Sequence, residues 1–415
     1  MDHGHATAHG KHRQRRSWRR LLLPVLFLAA LAGSAVFAMV SRDATEATST
    51  EATSADTISA DTTSEDTGSD GGGETGSSSG DRRDEAHEHG NTTPTGTPAP
   101  AASGPSPAVG TVVAVGQAPH HVAVAPDGTY AYIADPAARA VIRFDTAAGK
   151  PTTTIPIPQG PPQMVTLSPD GSRVYVSVYK SESTGYGTTL TENHVVAFDV
   201  RTDSVLWAVP VGRGPYAAST TADGSLLYLP FYDENHLDVL DTATGQLVTR
   251  ITTAPSPHWI TMSEDDRVGY VTNHFSDVVT VIDLRSNAVL STIPVGQGPH
   301  SVALSPDGAR VAVVNYISDD VSIIDTATNR VVQTVPGVGA GPQDVAYAPD
   351  GRHFYTANVE DGTVSVVDAA TGAVTARIPT GVSPTSVALL PDGRQALVTN
   401  FDDGTVAVID TSAAG

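Results

Sequence analysis

Histidine follows a Pro at three points of a repeated sequence. The stretch VGQAPHHVAVAPDG at residues 115–128 returns as VGQGPHSVALSPDG at residues 295–308, which places His120 and His300 directly after the Pro. His258 follows a Pro in the same way. Imidazole binds metals and exchanges protons near neutral pH, so these three histidines are candidates for a metal site or for acid–base chemistry.

The position after this Pro carries a hydrogen-bonding side chain in every repeat. The seven members, termed the inner ring from here on, are His120, Gln163, Tyr216, His258, His300, Gln343 and Thr385. Zinc needs three or four ligand atoms about 2.0–2.2 Å from one point, and ligands drawn from separate repeats converge less easily than ligands on one helix. We therefore expect the inner ring to form hydrogen bonds or to bind a ligand, and we predict no cofactor. If a metal does bind, its ligands are expected among the three histidines.

The repeat has a period near 42 residues and is marked by an Asp that closes a β-rich run. This Asp recurs at Asp145, Asp199, Asp241, Asp283, Asp325, Asp368 and Asp410, with spacings of 54, 42, 42, 42, 43 and 42 residues. The long second unit contains an insertion, KSESTGYGTTLTEN, at residues 180–193. Within a unit, β-branched runs alternate with turns such as SPDG and DTATG, where the Asp is expected to bond nearby backbone. Four antiparallel strands at this period predict a propeller blade.

The two ends of the repeat region predict how the ring closes. The last unit stops at VAVIDTSAAG, after its third strand, and VGTVVAVGQAP at residues 109–119 supplies a matching fourth strand. A closed ring leaves no long unpaired edge. Residues 109–415 are therefore predicted to form an all-β, seven-bladed propeller of four-stranded antiparallel blades, closed by the N-terminal strand.

The loops of such a ring sort onto two faces, because neighbouring strands run in opposite directions. Loops between blades and loops between second and third strands share one face, termed the mouth face from here on. We expect the inner ring to line a hydrated funnel there. Further candidate binding residues on this face are Tyr186, His194, His236 and His274. Trp259 follows His258, and alternation along the strand predicts that it points away from the channel.

Two pairs of short runs resemble a known family. YVTN (270–273) precedes VTVID (279–283), and LVTN (397–400) precedes VAVID (406–410), as in the YVTN family of β-propellers. The resemblance covers about three quarters of the chain and implies the fold. Propellers of this kind include surface-layer proteins, and related rings carry redox cofactors or act as lyases or lactonases, so the fold alone does not select a function.

The first 108 residues are predicted to hold no folded domain. Residues 1–20 form a basic, His-rich tail, and the uncharged residues 21–40 are long enough to cross a bilayer as one helix. The basic flank places the tail in the cytoplasm and the propeller outside a single-pass membrane anchor. The alternative is a cleaved signal peptide and a secreted protein. Residues 41–108, rich in Ser, Thr, Gly, Pro and acidic residues, are predicted to be a disordered tether.

Composition excludes some classes of function. The chain has 24 Lys and Arg against 45 Asp and Glu, and its net charge is −21. Nucleic-acid binding depends on clustered basic residues, so no nucleic-acid partner is predicted. The chain has no Cys, which excludes disulfides and thiolate metal sites.

Three functions are open at this point. The first is a monomeric, membrane-tethered propeller that acts outside the cell as a binding scaffold for protein or glycan. The alternative is an enzyme or cofactor carrier of lyase, lactonase or metal-redox type that uses the inner-ring histidines. A mainly structural role in the envelope or surface layer is the third.

Overall fold

The computed structural model describes residues 107–179 and 192–412. The predictions for the basic tail at residues 1–20, the anchor at 21–40, nearly all of the tether at 41–108, and Tyr186 fall outside these ranges. Within them, no helix is long and apolar enough to cross a membrane.

In the part of the chain that the structure describes, 28 strands form seven four-stranded sheets. The described chain begins with β1 (Ala108–Ala114). The first blade contains β2 (His121–Val124), β3 (Tyr130–Asp135), β4 (Ala140–Asp145) and β5 (Lys150–Pro156). The second contains β6 (Pro162–Leu167), β7 (Arg173–Val178), β8 (Asn193–Asp199) and β9 (Val205–Val211). The third contains β10 (Ser219–Thr220), β11 (Leu226–Pro230), β12 (His236–Asp241) and β13 (Leu247–Thr252).

The later blades repeat this arrangement. The fourth contains β14 (Pro257–Met262), β15 (Val268–Asn273), β16 (Val278–Asp283) and β17 (Ala288–Pro294), with a 3-10 turn at His274–Ser276. The fifth contains β18 (Pro299–Leu304), β19 (Arg310–Asn315), β20 (Asp320–Asp325) and β21 (Arg330–Pro336). The sixth contains β22 (Pro342–Tyr347), β23 (His353–Asn358), β24 (Thr363–Asp368) and β25 (Val374–Pro379). The seventh contains β26 (Pro384–Leu389), β27 (Gln395–Asn400) and β28 (Thr405–Asp410).

The seventh blade is completed by the other end of the repeat region. Strand β1 pairs antiparallel with β28, with Ala108 opposite Asp410 and Val113 opposite Val406. The resulting sheet has the order β1-β28-β27-β26. The prediction of a seven-bladed, four-stranded propeller closed by the N-terminal strand is therefore confirmed.

The hydrophobic core lies between adjacent blades. Tyr132 of the first blade and Phe198 of the second belong to one buried cluster. The joint between the seventh and first blades buries Phe144 against Leu397, and Val113 of β1 packs on the same cluster. Each blade presents β-branched side chains on both of its faces, so burial of both faces stabilises the ring.

Repeated polar residues stabilise the loops, and for the Asp that closes each third strand the sequence predicts this role. The carboxylate of Asp325 accepts the Thr328 N–H at 2.9 Å within the turn that follows the third strand. The Asn that ends the second strand bonds the neighbouring inter-blade loop: the Asn273 amide donates to the Ala254 carbonyl at 2.6 Å and the Asn358 amide to the Val338 carbonyl at 2.9 Å. These residues are capping groups of the blades.

Candidate functional site at the mouth of the channel

The inner ring assembles as neighbour-to-neighbour contacts at the start of the innermost strands. The His258 ring stacks on Tyr216 with centroids 3.8 Å apart, and it lies 4.1 Å from the His300 ring. Farther round, His120 Nδ1 is 2.9 Å from the Gln163 carbonyl oxygen, and the Thr385 hydroxyl donates to the His120 carbonyl at 2.6 Å. Residues from separate blades are thus brought into contact with one another round the channel.

The expectation of a hydrated funnel is wrong. His258 is 3 % exposed, His300 8 % and Gln163 0 %. Gln343 is the half-buried member of the ring. The inner ring is shielded from solvent because its members pack on one another and because further aromatic side chains contact them.

Trp259 is not turned away from the channel. Its ring lies 5.2 Å from His121 of the first blade, 6.3 Å from Tyr216 and 6.4 Å from His300. The first and fourth blades are almost opposite each other in a ring of seven, so this side chain reaches across the centre. Alternation in an inner strand turns side chains toward the two neighbouring blades, and both orientations border the channel.

A buried carboxylate links the walls of the channel below the mouth. Asp344 of the sixth blade accepts a hydrogen bond from the Ser301 hydroxyl of the fifth at 2.7 Å and from the Ser386 hydroxyl of the seventh at 2.8 Å. Burial raises the pKa of Asp344, and the hydrogen bonds that it accepts oppose that rise. The carboxylate therefore connects three consecutive blades.

The mouth histidines are held neutral. Burial is the largest cause that lowers the pKa of His258 and of His300 well below the usual range, and neighbouring imidazoles lower both further. Burial also lowers the pKa of His274 to about 4. The nearby Gln343 carbonyl opposes the shift of His300, although His300 Nδ1 has no hydrogen-bond partner.

A second ring of aromatic side chains covers the inner ring, and our sequence analysis missed all of it except His274. The position 17 residues after each anchoring Pro, as from Pro299 to Tyr316, holds an aromatic residue in five of seven blades. These five residues, termed the outer ring, are Tyr179, Tyr232, His274, Tyr316 and Phe401. The constant spacing was the available signal.

Each outer-ring side chain contacts a member of the inner ring. Tyr232 lies 5.0 Å from His258, Tyr316 lies 6.0 Å from His300, and His274 lies 5.5 Å and 5.7 Å from the same two histidines. The other two follow the same pattern: Tyr179 is 6.0 Å from Tyr216, and Phe401 is 5.8 Å from His120.

One backbone hydrogen bond positions several of these residues identically. The N–H of Tyr232 donates to the Gly214 carbonyl at 2.8 Å, and the N–H of Tyr316 donates to the Gly298 carbonyl at 2.9 Å. The N–H groups of His274 and Phe401 bond their inter-blade loops in the same way. The fold therefore sets the height of the outer ring, and the side-chain type at this position sets the chemistry of the mouth.

The mouth-face loops are acidic. Among the described residues of these loops the arginines are Arg139 and Arg213, and the carboxylates are Glu192, Asp233, Glu234, Asp277, Asp319, Glu360, Asp361, Asp402 and Asp403. Many of them also cap loops, as Glu234 does by accepting the Arg213 N–H at 2.7 Å. Phe275 and Ile317 stand among these charges and are 54 % and 46 % exposed.

The remaining sequence candidates are not part of this cluster. His194 and His236 lie at the start of third strands, away from the innermost strands. His236 is 3.3 Å from Glu234 and 5.0 Å from the Phe231 ring. Tyr186 lies outside the described residues, so its position relative to the mouth stays a prediction.

In residues 107–179 and 192–412, no three His, Asp or Glu side chains are arranged to hold a metal ion. His258 and His274 direct Nδ1 toward the carbonyl oxygens of His300 and Pro299, each at 3.3 Å.

Comparison with known proteins agrees with the fold. The family model of the Cytochrome D1 heme domain matches residues 222–347. Among solved structures, hydrazine synthase of Kuenenia stuttgartiensis aligns with a TM-score of 0.63 and 23 % identity, over 72 % of this chain and 97 % of that chain. No curated protein matches the chain significantly. The chain is therefore a seven-bladed β-propeller with an aromatic mouth set among acidic loops.

The residues at the mouth do not fit a heme. A heme needs an accessible axial ligand, and its propionates are anions that pair with basic side chains. Here the His258 and His300 rings are buried, and the described loops around them carry nine carboxylates and two arginines. We derive no chemistry through a heme for this chain.

Proposed function

We propose that this protein is a binding scaffold that captures a partner through its mouth face. The observation that carries the proposal is Phe275, which is 54 % exposed, beside the half-buried Tyr232 of the outer ring, because aromatic side chains that reach the surface are typical of recognition sites. Tyr232 links the two, since it contacts both Phe275 at 5.5 Å and His258 at 5.0 Å.

The rest of the chain is given matching roles in this proposal. Residues 21–40 anchor the protein in the membrane, residues 41–108 serve as the tether, and the propeller acts as a monomer outside the cell. The partner is an extracellular protein or glycan. The resemblance to YVTN-family propellers supports a scaffold, since surface-layer proteins are among them.

Binding of the purified full chain to an array of peptides and glycans tests the proposal. We expect specific ligands whose signal falls when Tyr232→Ala and Phe275→Ala are combined. Tyr130→Ala is the matched control, because Tyr130 is 37 % exposed at the opposite end of a second strand. Signals that the mouth variant and the control reduce equally would refute the assignment of this face.

A cofactor carrier is the second candidate function, although the mouth residues as they stand do not fit a heme, so loading would require the mouth to rearrange. The family-model match to a heme domain covers residues 222–347, a segment that contains Tyr232, His258, His274 and His300. Absorption spectra of the purified full chain, before and after addition of hemin, test this candidate. A stoichiometric absorption band that His274→Ala removes would favour it over the scaffold, and spectra without such a band would count against it.

A further inference from the structure

We propose that the mouth face recognises a polypeptide segment that presents several Lys or Arg side chains. This inference rests on the proposed function and specifies the chemistry of the partner. It is carried by the coincidence of aromatic rings, carboxylates and an unpartnered acceptor at one end of the channel.

Aromatic rings of the mouth face are suited to bind a cation. An ammonium or guanidinium group is attracted to the face of an aromatic ring within about 6 Å. Three of the four half-buried members of the outer ring, Tyr232, His274 and Tyr316, lie on consecutive blades, and the exposed Phe275 lies beside them. Because His274 and the inner-ring histidines His258 and His300 are neutral, they do not repel a cation.

Carboxylates lie beside those rings. Glu360 Oε1 is 3.4 Å from the Tyr316 hydroxyl, and Asp233 directly follows Tyr232. Burial is the largest cause that raises the pKa of Tyr232 and of Tyr316, and the charges of Asp233 and Glu360 raise them further. The two charge effects show that a negative potential reaches the aromatic ring residues themselves.

An unpartnered hydrogen-bond acceptor lies within the inner ring. Gln163 is fully buried in the inner ring, and its Oε1 has no hydrogen-bond partner. The amide nitrogen of the same side chain donates to the Tyr179 carbonyl at 3.4 Å. A buried carbonyl oxygen without a partner favours N–H donors such as those of Lys and Arg, and a ligand reaches this atom only by displacing the side chains that cover it.

The extent of the charge selects a polypeptide over a small amine. The nine carboxylates of the described mouth-face loops are spread over six of the seven blades, and the two arginines offset few of them. A single ammonium group pairs with one or two carboxylates, whereas a segment with several basic residues can follow the circle of loops. Phe275 and Ile317, both largely exposed, supply apolar contact for the rest of such a segment.

Fluorescence polarisation with the purified full chain tests the inference. The probe is a fluorescein-labelled nonapeptide of alternating Lys and Ala, and the Glu/Ala nonapeptide is its control. We expect the Lys/Ala peptide to bind, the Glu/Ala peptide not to bind, and the affinity to fall by about tenfold as NaCl rises from about 20 to 200 mM.

Two pairs of variants locate the binding. Combining Tyr232→Ala with Phe275→Ala should lower the affinity for the Lys/Ala peptide by about tenfold. Glu360→Gln should lower this affinity and reduce its dependence on salt. Glu264 is an exposed carboxylate of the opposite face, so Glu264→Gln should change neither. If Tyr232→Ala unfolds the protein, Phe275→Ala alone serves, because that side chain is 54 % exposed.

Three outcomes would overturn the inference. Binding that the mouth variants leave unchanged would assign the peptide to the acidic tether or another surface. Displacement of the peptide by millimolar tetramethylammonium would point to a small amine as the ligand. Absence of peptide binding, with mouth-dependent binding of neutral glycans on the array, would reject the cationic partner but keep the proposed function.

Discussion

Acid should destabilise the propeller through the buried histidines of its mouth. His258 and His300 have pKa values well below the usual value of about 6.5 because burial disfavours their charged forms. In the unfolded chain the same imidazoles are expected to titrate near pH 6.5. Stability from these two residues is therefore present above pH 6.5 and is lost as the pH falls below it.

The magnitude follows from proton linkage. A histidine that stays neutral in the fold reduces the free energy of unfolding by about 1.4 kcal/mol between pH 7.5 and pH 5.5, so the pair accounts for about 3 kcal/mol. Turn carboxylates such as Asp325, whose pKa is lowered by hydrogen bonds from Thr328, titrate below this window. Asp344 has a raised pKa, which changes stability in the opposite direction but equally in wild type and in histidine variants.

Urea unfolding at pH 7.5 and pH 5.5, followed by tryptophan fluorescence, measures this loss. His258→Phe keeps an aromatic ring on Tyr216 but cannot take up a proton, so its loss should be about 1.4 kcal/mol smaller than that of wild type. His353→Phe, at a half-exposed position on the opposite face, is the control and should behave as wild type. Equal pH dependence in wild type and His258→Phe would show that the mouth imidazoles protonate in the fold, and the reasoning would fail.

Three other predictions follow from the construction of the ring. Deleting residues 109–116 should lower the Tm by roughly 10 °C or more, because β28 loses the strand that pairs with it and the ring is no longer closed. A shift of a few degrees in a thermal scan would contradict this prediction. Asp135→Ala should lower the free energy of unfolding in urea by about 3 kcal/mol, because the buried carboxylate accepts the N–H groups of three residues. Asp145→Ala, in an exposed turn, should lower it by less than about 1 kcal/mol. Asp344→Ala should lower the free energy of unfolding by about 3 kcal/mol in the same assay, because it leaves buried donors of three blades without an acceptor. A decrease below about 1 kcal/mol would show that the carboxylate is dispensable.

The sequence predicted the ring because its repeats encode local rules. Spacing between third-strand Asp residues marks each blade, and the surplus strand at residues 109–119 has one available edge to pair with. The capping roles of Asp325 and Asn273 also follow from local chemistry, because each bonds a backbone group of a nearby turn or loop.

The interior of the mouth was less predictable because it depends on residues that are distant in the chain. Trp259 meets His121 across the ring, a contact between residues more than a hundred positions apart. The inner ring is buried because the outer ring packs on it, and that packing joins neighbouring blades, as between Tyr232 and His258. Side-chain alternation within one strand contains none of this information.

Hydroxyl-radical footprinting of the full chain, with and without the Lys/Ala nonapeptide, tests the central claim most directly. That claim is that the mouth face is the surface which meets the partner. Oxidation of Phe275 and Ile317, which are 54 % and 46 % exposed, should fall several-fold when peptide is bound, while oxidation of Tyr130 on the opposite face should stay constant. Unchanged oxidation of Phe275 and Ile317 under saturating peptide, or protection of Tyr130 instead, would contradict the account.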